Sequence, residues 1–373
     1  MKEHDILIIG GGLAGLTAAI HLAIEGKNVC VFEINSFPNH KVCGEFVSKE
    51  IVPYFNRLGL FPYSVGAVDI NQFQISTHKG YLIDTKLPLG GLGISRYALD
   101  DLLYKRAKEL GVIFYFEKVT EVIFKNDCFI ITTGLHTYTS KIVLGAYGKR
   151  SILDKKMERK FSKSKNSWLA VKAHYKFNGF PKELVGLHNF EGGYGGLSTT
   201  ESGAINFCYL VHYNVFKKYK DITAFNKQVV AKNPLLNSFL TNAIPLFSQP
   251  MTIAQICFDK KDTVVNHMLM CGDTAGLIHP LCGNGMAMAV HSAKIASELV
   301  MRFYNEPNYD RHQLELDYNL VWSKTFRKRL GFGRKLQRIL MNKTIVSIGI
   351  RTIGKSKRLL KFIINKTHGE LIS

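Results

Sequence analysis

Three glycines at fixed spacing, Gly10-x-Gly12-x-x-Gly15, carry the strongest chemical signal in the chain. They stand between an apolar run at 5–9 and a helically patterned stretch that begins at Leu13 and Ala14, which is the order strand, turn, helix. In that setting Gly10 permits the tight turn and Gly12 lets main-chain N–H groups approach a pyrophosphate. Gly15 lets the helix pack closely on the strand, and the positive helix end faces the phosphates. Glu33 closes a second apolar run, where its carboxylate suits a ribose diol and would repel a 2′-phosphate. The chemistry implied is the holding of a dinucleotide.

Other chemistry-bearing residues cluster in short segments. Lys41-Val42-Cys43-Gly44-Glu45-Phe46-Val47-Ser48 puts a thiol, a lysine and a glycine in one loop. Arg96, Asp100 and Leu103 share the start of a helix, and Gly145-Ala146-x-Gly148-x-x-Ser151 follows an apolar run. Gly272-Asp273-Thr274-Ala275-Gly276 follows another. His279, Pro280, Gly283, Asn284, Gly285 and Met286 then lead into a strongly apolar helix. Tyr194 lies in a glycine-rich stretch at 191–198 that reads as a flexible turn. A histidine such as His279 titrates near neutrality and suits proton transfer; packing within its loop is the competing role. The histidines form no HExxH pattern and the seven cysteines no CxxC pair, so no metal site is expected.

Together these segments resemble the flavoprotein superfamily of geranylgeranyl reductases and aromatic-ring hydroxylases of the p-hydroxybenzoate hydroxylase type, in particular its geranylgeranyl reductase-like branch. The resemblance implies FAD as cofactor. It implies contacts from Gly10, Gly12, Leu13, Ala14, Gly15, Glu33, Lys41, Cys43, Gly44, Arg96, Ala146, Gly148, Gly272, Asp273, Pro280, Gly283, Asn284, Gly285 and Met286. Asp273 would take a ribityl hydroxyl, and a helix starting near Gly285 would aim N–H groups at the flavin's pyrimidine oxygen. Cys43, Tyr194 and His279 are the catalytic candidates; Cys43 could position an alkene, donate a proton or merely pack.

Two reactions are open. One reduces or dehydrogenates a carbon–carbon double bond in a lipid-like, prenyl or polyketide-like substrate. The alternative is a monooxygenase hydroxylating an aromatic or polyketide substrate through a C4a-hydroperoxide. The prenyl reductases' Y-x-W-x-F-P-K stretch is replaced here by Tyr194-Gly195-Gly196-Leu197-Ser198-Thr199. The halogenases' W-x-W-x-I-P signature is absent, so halogenation is not expected. Without a second complete nicotinamide motif, NAD(P)H would dock transiently as electron donor, or a reductase partner would supply electrons.

The elements that must position these residues read as an α/β chain. We expect a Rossmann-like FAD-binding domain built discontinuously from 1–66, 95–155 and 264–320. An inserted, mainly antiparallel β-sheet substrate domain comes from 67–94 and 156–263, and a basic helical C-terminal region from 321–373. Within this frame we expect a meander at 119–144, no core pattern at 151–167, a helix over 221–240 broken at Pro234, and one buried strand at 264–270.

Composition sets the surroundings. With 46% hydrophobic and 21% charged residues over 373 positions, the chain can fill a sizeable core, and extensive disorder is excluded. Widely spaced cysteines fit a reducing cytoplasm, and no signal peptide or membrane-spanning run is evident. The net charge is +20, and residues 321–373 hold fourteen Lys and Arg against the single acid Glu370. Apolar residues interleave with those charges. They suit either a peripheral helix on an anionic membrane at its inner face or a helical pair capping the substrate domain. No nucleic-acid motif is present, and none is expected as partner. The occupant of the substrate domain is expected to be a hydrophobic small molecule.

Overall fold

Four-residue apolar runs without a polar interruption are satisfied only in strands covered on both faces. Ile6–Ile9, Val29–Phe32 and Ile142–Gly145 are buried at every position. The structure is a computed structural model that describes residues 2–163, 168–219, 221–280, 283–340, 349 and 369–372. In it these runs form the centre of a six-stranded sheet ordered Val264–Val265, Met268–Met270, Ile142–Gly145, Ile6–Ile9, Val29–Phe32, Ile113–Tyr115. All pairs are parallel except the first, and Ile9 lies opposite both Phe32 and Gly145. The register brings the carboxyl ends of three strands together, where an open α/β sheet presents its ligand crevice. Helices Leu13–Ile24, Arg96–Glu109 and Gly285–Asn305 pack as one layer, the first against both others.

A second, nine-stranded sheet is mainly antiparallel. It runs Ile244–Pro245, Trp168–Lys176, Ile205–His212, Gly193–Thr199, Leu184–Phe190, Val68–Ser76, Leu82–Gly93, Phe46–Ser48, and Met251–Ile256 also pairs with Trp168–Lys176. Its Leu184–Phe190 and Val68–Ser76 strands run parallel. A four-stranded sheet, Lys2–Glu3, Thr137–Ser140, Cys128–Thr133 and Val119–Lys125, covers one end of the first sheet. The chain is therefore an α/β protein with a Rossmann-like domain, an inserted β-sheet domain and a C-terminal helical region, the helix Arg311–Leu340.

Several local expectations change. The Phe46–Ser48 strand, read with the first domain, pairs into the nine-stranded sheet. Residues 142–145 leave the meander and join the parallel sheet beside Ile6–Ile9. The 264–270 run is a hairpin turned at Asn266 and His267, both at positive φ, because two polar residues in the middle of an apolar run cannot stay in a buried strand. Residues 151–167 contain the helix Ile152–Lys156 with a Ser151–Asp154 capping box. They also contain the buried ion pair Arg159–Asp154 at 3.0 Å, which apolar periodicity cannot reveal. Pro234 starts a new helix, Pro234–Asn242, rather than kinking a long one: it occupies the first turn, where its missing N–H costs nothing. The basic tail expected to be helical beyond residue 340 lies almost wholly outside the described residues.

The glycine turn also makes a prediction about folding. A Cβ on Gly15 would sit 1.9 Å from the Gly10 carbonyl oxygen, so the first helix must move off its strand to accept it. Gly15→Ala should destabilise the protein by about 1–3 kcal/mol or more, as overpacking does, with the loss read by chemical denaturation of the apoprotein.

Candidate functional site

The three motif glycines do different work. Gly10 adopts φ +109°, and a Cβ there would meet the Ala146 oxygen at 2.4 Å, so both Gly10 and Gly15 are required by the fold itself. Gly12 is different: its φ is ordinary, and a Cβ would find only the Arg96 guanidinium, at 3.8 Å. The space in front of Gly12 is open. Gly12 caps the Leu13–Ile24 helix without any side-chain hydrogen bond, although Leu13 and Ala14 are buried. Unsatisfied N–H groups at the head of a twelve-residue helix, beside an arginine, fit a pyrophosphate. The Glu33 carboxylate accepts from Gly11 N at 2.9 Å and from Ile34 N at 2.8 Å, which fixes it at the rim of the same turn.

Arg96 is held by a paired hydrogen bond to the fully buried Asp100, at 2.7 and 2.8 Å. Lys41 spends its ammonium on the other side of Asp100 at 2.9 Å. Two cations on one buried carboxylate hold the Asp100 carboxyl below its usual range despite its burial, and they leave net positive charge beside the open glycine.

The other face of the cleft is built by the loops after the outer strands. Gly272, at φ +60°, turns the chain after Met268–Met270, and its N–H is held by Ser292 at 2.7 Å. The following Asp273 gives its main-chain oxygen to Lys261 at 2.7 Å; its carboxylate makes no hydrogen bond among the described residues. Gly148 N donates to Thr274 Oγ1 at 2.8 Å, tying the 145–148 loop to the same segment. Gly283 lies against the Phe46 ring, and Asn284 begins the Gly285–Asn305 helix, with its side chain hydrogen-bonded to Glu50. This 21-residue helix has no side-chain N-cap bond, so Gly285 and Met286 stand at a second uncapped N-terminus facing the cleft. Cys43 Sγ lies 3.6 Å from Met286 Sδ and joins the loop at 41–45 to that helix. Gly44 is exposed, with open space where a Cβ would be, and Pro280 is exposed. Two uncapped helix heads, a free carboxylate and an open glycine fit a flavin dinucleotide.

Tyr194 and His279 meet in the interior: Tyr194 follows the hairpin turn at 191–192, and His279 lies in the loop before Pro280. Tyr194 is a buried residue inside the Gly193–Thr199 strand: the expected turn is confined to 191–192, with Gly192 at φ +76°, and neighbouring strands on both sides keep Gly193, Gly195 and Gly196 extended. Its hydroxyl lies 3.5 Å from His279 Nδ1, and Trp168 and Phe258 close around the imidazole, with ring centres 6.0 and 4.7 Å away. Burial pushes the His279 pKa down to about 3, which corrects the expectation of a histidine titrating near neutrality. Its ring is neutral at physiological pH. It can orient an occupant through Nε2, which has no partner among the described residues, but it does not act as a cationic acid.

The sequence reading missed the most concentrated group of charges. Glu45 and Lys172 are fully buried, with Lys172 Nζ 2.5 Å from Glu45 Oε1 and His174 Nε2 2.6 Å from Glu45 Oε2. Arg96 N also donates to Glu45 Oε1 at 2.8 Å. Burial works to raise the Glu45 pKa, but the His174 hydrogen bond and the Lys172 charge outweigh it and hold the carboxyl below the usual range. Glu45 sits at φ +52°, a conformation that costs a non-glycine residue about 1–3 kcal/mol and persists only when its surroundings impose it. A signal was available: Lys172 and His174 share one face of the strand WLAVKAHYK, ahead of an exposed Lys176, among apolar and aromatic residues.

A cavity of about 550 Å³ also opens beside 275–277, lined in part by Lys261, Trp322 and Arg327; no residue of the glycine turn lines it. Among the described residues no helix is long and apolar enough to cross a membrane.

Comparison with known proteins decides the cofactor. Residues 5–38, which carry the glycine turn and Glu33, match the family of FAD binding domains. The protein is an FAD-binding flavoenzyme. Its relatives lie in a wide FAD-binding oxidoreductase superfamily. The flavoenzyme is 25% identical over 360 residues to digeranylgeranylglycerophospholipid reductase 2 of Methanothermobacter thermautotrophicus, covering 91% of this chain and 88% of that one. It is 22% identical over 363 residues to conditioned medium factor receptor 1 of Dictyostelium discoideum, covering 87% and 68%. Among solved structures the flavin-dependent brominase Bmp2 superposes with a TM-score of 0.79 at 17% identity, over 98% of this chain and 93% of that one. At that identity the likeness is one of fold.

Two predictions come from this geometry. Gly12→Asp should leave the apoprotein folded, because the space is open, yet abolish FAD retention by placing a carboxylate where the phosphates lie. Flavin absorbance per purified chain and the apoprotein melting temperature check both halves. The second concerns acid. His279 binds a proton unfolded near pH 6.5 but refuses it folded until about pH 3. Its contribution is therefore fully present above pH 6.5 and is lost as pH falls toward 3, by up to about 1.4 kcal/mol per pH unit. His279→Leu should flatten that part of the stability–pH curve, measured by denaturant titration of the apoprotein at several pH values.

Proposed function

We propose that the flavoenzyme is a monooxygenase that oxygenates an aromatic or polyketide-like hydrophobic substrate. The observation carrying this reading is the buried wall of Trp168, Tyr194, Phe258 and His279 beside the flavin cleft, with its imidazole uncharged. When bound, the FAD supplies electron transfer and oxygen activation. The chain's own residues bind an apolar ring against that wall, exclude water, and offer hydrogen bonds from the Tyr194–His279 pair without a charge that would draw solvent in. The fold likeness to a flavin-dependent brominase and to PqsL of Pseudomonas aeruginosa, described as a probable FAD-dependent monooxygenase, supports it.

A second reading keeps the same cleft but reduces a carbon–carbon double bond in a prenyl or lipid-like substrate. The Cys43 thiol at the head of the Gly285–Asn305 helix favours it, as a proton donor placed at the cofactor's edge. So does the sequence likeness to a digeranylgeranylglycerophospholipid reductase. In either case NAD(P)H docking transiently, or a partner reductase, delivers the electrons. Leu316 and Leu320 are exposed on the Arg311–Leu340 helix, followed by Lys324, Arg327 and Lys328, also exposed. This surface suits peripheral contact with an anionic membrane that would hold such substrates.

The deciding experiment mixes the dithionite-reduced holoprotein with oxygen-18 in the presence of alkylresorcinols, phenols or geranylgeranyl diphosphate. Monooxygenation predicts label in a phenolic product and substrate-dependent reoxidation. Reoxidation by the diphosphate without oxygen, yielding a saturated chain, would instead establish the reductase.

A further inference from the structure

The Glu45–Lys172–His174 group touches neither the glycine turn nor the aromatic wall, yet it lies directly behind the loop that lines the cleft. Four carbonyls of that loop are captured from the other side. Lys172 Nζ donates to Lys41 O at 3.1 Å, Asn206 Nδ2 to Cys43 O at 3.2 Å, Ser198 Oγ to Gly44 O at 3.2 Å, and Ile94 N to Glu45 O at 3.3 Å. A planar trans peptide points the next residue's N–H opposite to its carbonyl. The Gly44 and Glu45 amides are therefore turned away from the nine-stranded sheet, and neither has a hydrogen-bond partner among the described residues. Gly44 is exposed, and Cys43 beside it contacts Met286 at the head of the last core helix, so the Gly44 amide faces the cleft where that helix begins, while Glu45 is fully buried behind it. The left-handed backbone at Glu45 carries a conformational cost that its surroundings offset. The Glu45 carboxylate, anchored by Lys172, His174 and Arg96 N, fixes it.

We propose that Glu45, Lys172 and His174 are positioning residues that hold the Gly44 amide toward the flavin and thereby set how tightly the protein binds reduced relative to oxidised FAD. The proposal rests on the FAD reading of the cleft. Reduced flavin carries more negative charge than oxidised flavin, so fixed N–H donors favour the reduced form, and a loop free to turn favours it less. The three side chains act through the loop and need not touch the cofactor.

The test uses the full chain with FAD and compares Glu45→Gln, Lys172→Met and the double variant. Glu45→Gln keeps the size of the side chain but removes its charge. The double variant removes both buried charges together, so that neither is stranded if a single change fails to fold. Three quantities are read: the melting temperature of the apoprotein, the Kd for oxidised FAD, and the midpoint potential of the bound flavin. The expected result is a Kd for oxidised FAD within about threefold of the parent. The reduced-to-oxidised Kd ratio should be about tenfold higher, roughly one charge-assisted hydrogen bond lost, seen as a more negative potential. His174→Gln, which keeps a hydrogen-bond donor, should keep most of the parent ratio, whereas His174→Leu should lose it. A lowered melting temperature with an unchanged potential in both Glu45→Gln and the double variant would show a purely structural network and overturn the proposal. Failure of the parent itself to bind FAD would instead strike at the cofactor reading.

Discussion

Everything in the cleft depends on how closely the first helix can approach the first strand. Gly15 rests against the carbonyl of Gly10, and Gly10 rests against Ala146 on the neighbouring loop, leaving no room for a side chain at either contact. That approach puts the head of the Leu13–Ile24 helix directly above the carboxyl end of the sheet. Its free amides then lie within a few residues of Glu33 on one side and Gly148 on the other. Had the helix been held off by even one methyl group, the strands would still pair, but the three loops would no longer converge on one ligand.

Charge is distributed across the cleft in two buried systems of different character. Around Asp100, two cations share one carboxylate and leave positive charge for a phosphate. Around Glu45, the carboxylate has its own cation and a histidine and is saturated with donors. The first system faces a ligand and the second faces the protein. Buried pairs of the second kind add little to stability against an apolar replacement, while leaving one partner alone costs about 3–5 kcal/mol, so their value lies in fixing a single geometry. Beyond them the aromatic wall carries no charge at all, since burial keeps His279 neutral.

Much of this was legible in the sequence, for identifiable reasons. The glycine spacing, Glu33 and the apolar strands were readable because each is local: turn, helix and strand lie within thirty residues and their periods differ. The convergence of Asp273, Gly285 and Cys43 came from family resemblance, since nothing in their separation along the chain brings them together. What escaped notice was set by tertiary contact. Lys172 and His174 read as isolated polar residues until Glu45 arrives from the loop before the far edge strand of the same sheet. Asn266 and His267 hide a hairpin inside an apolar run, and the glycines around Tyr194 suggest a mobile loop where only 191–192 turn. Two neighbouring strands hold Gly193, Gly195 and Gly196 extended.

The path of the chain between the two large sheets has one more consequence. Residues 46–48 and 68–93 enter the second sheet before the first is complete, and the Met268–Met270 strand and the Gly285–Asn305 helix return to the first only after residues 168–256 have been laid down. During synthesis the amino-terminal cradle therefore emerges early but lacks an outer strand and a covering helix until nearly three hundred residues have left the ribosome. Neither half can be cut out as an autonomous module by a single break. A complete cleft for the cofactor exists only once the Gly285–Asn305 helix has been made.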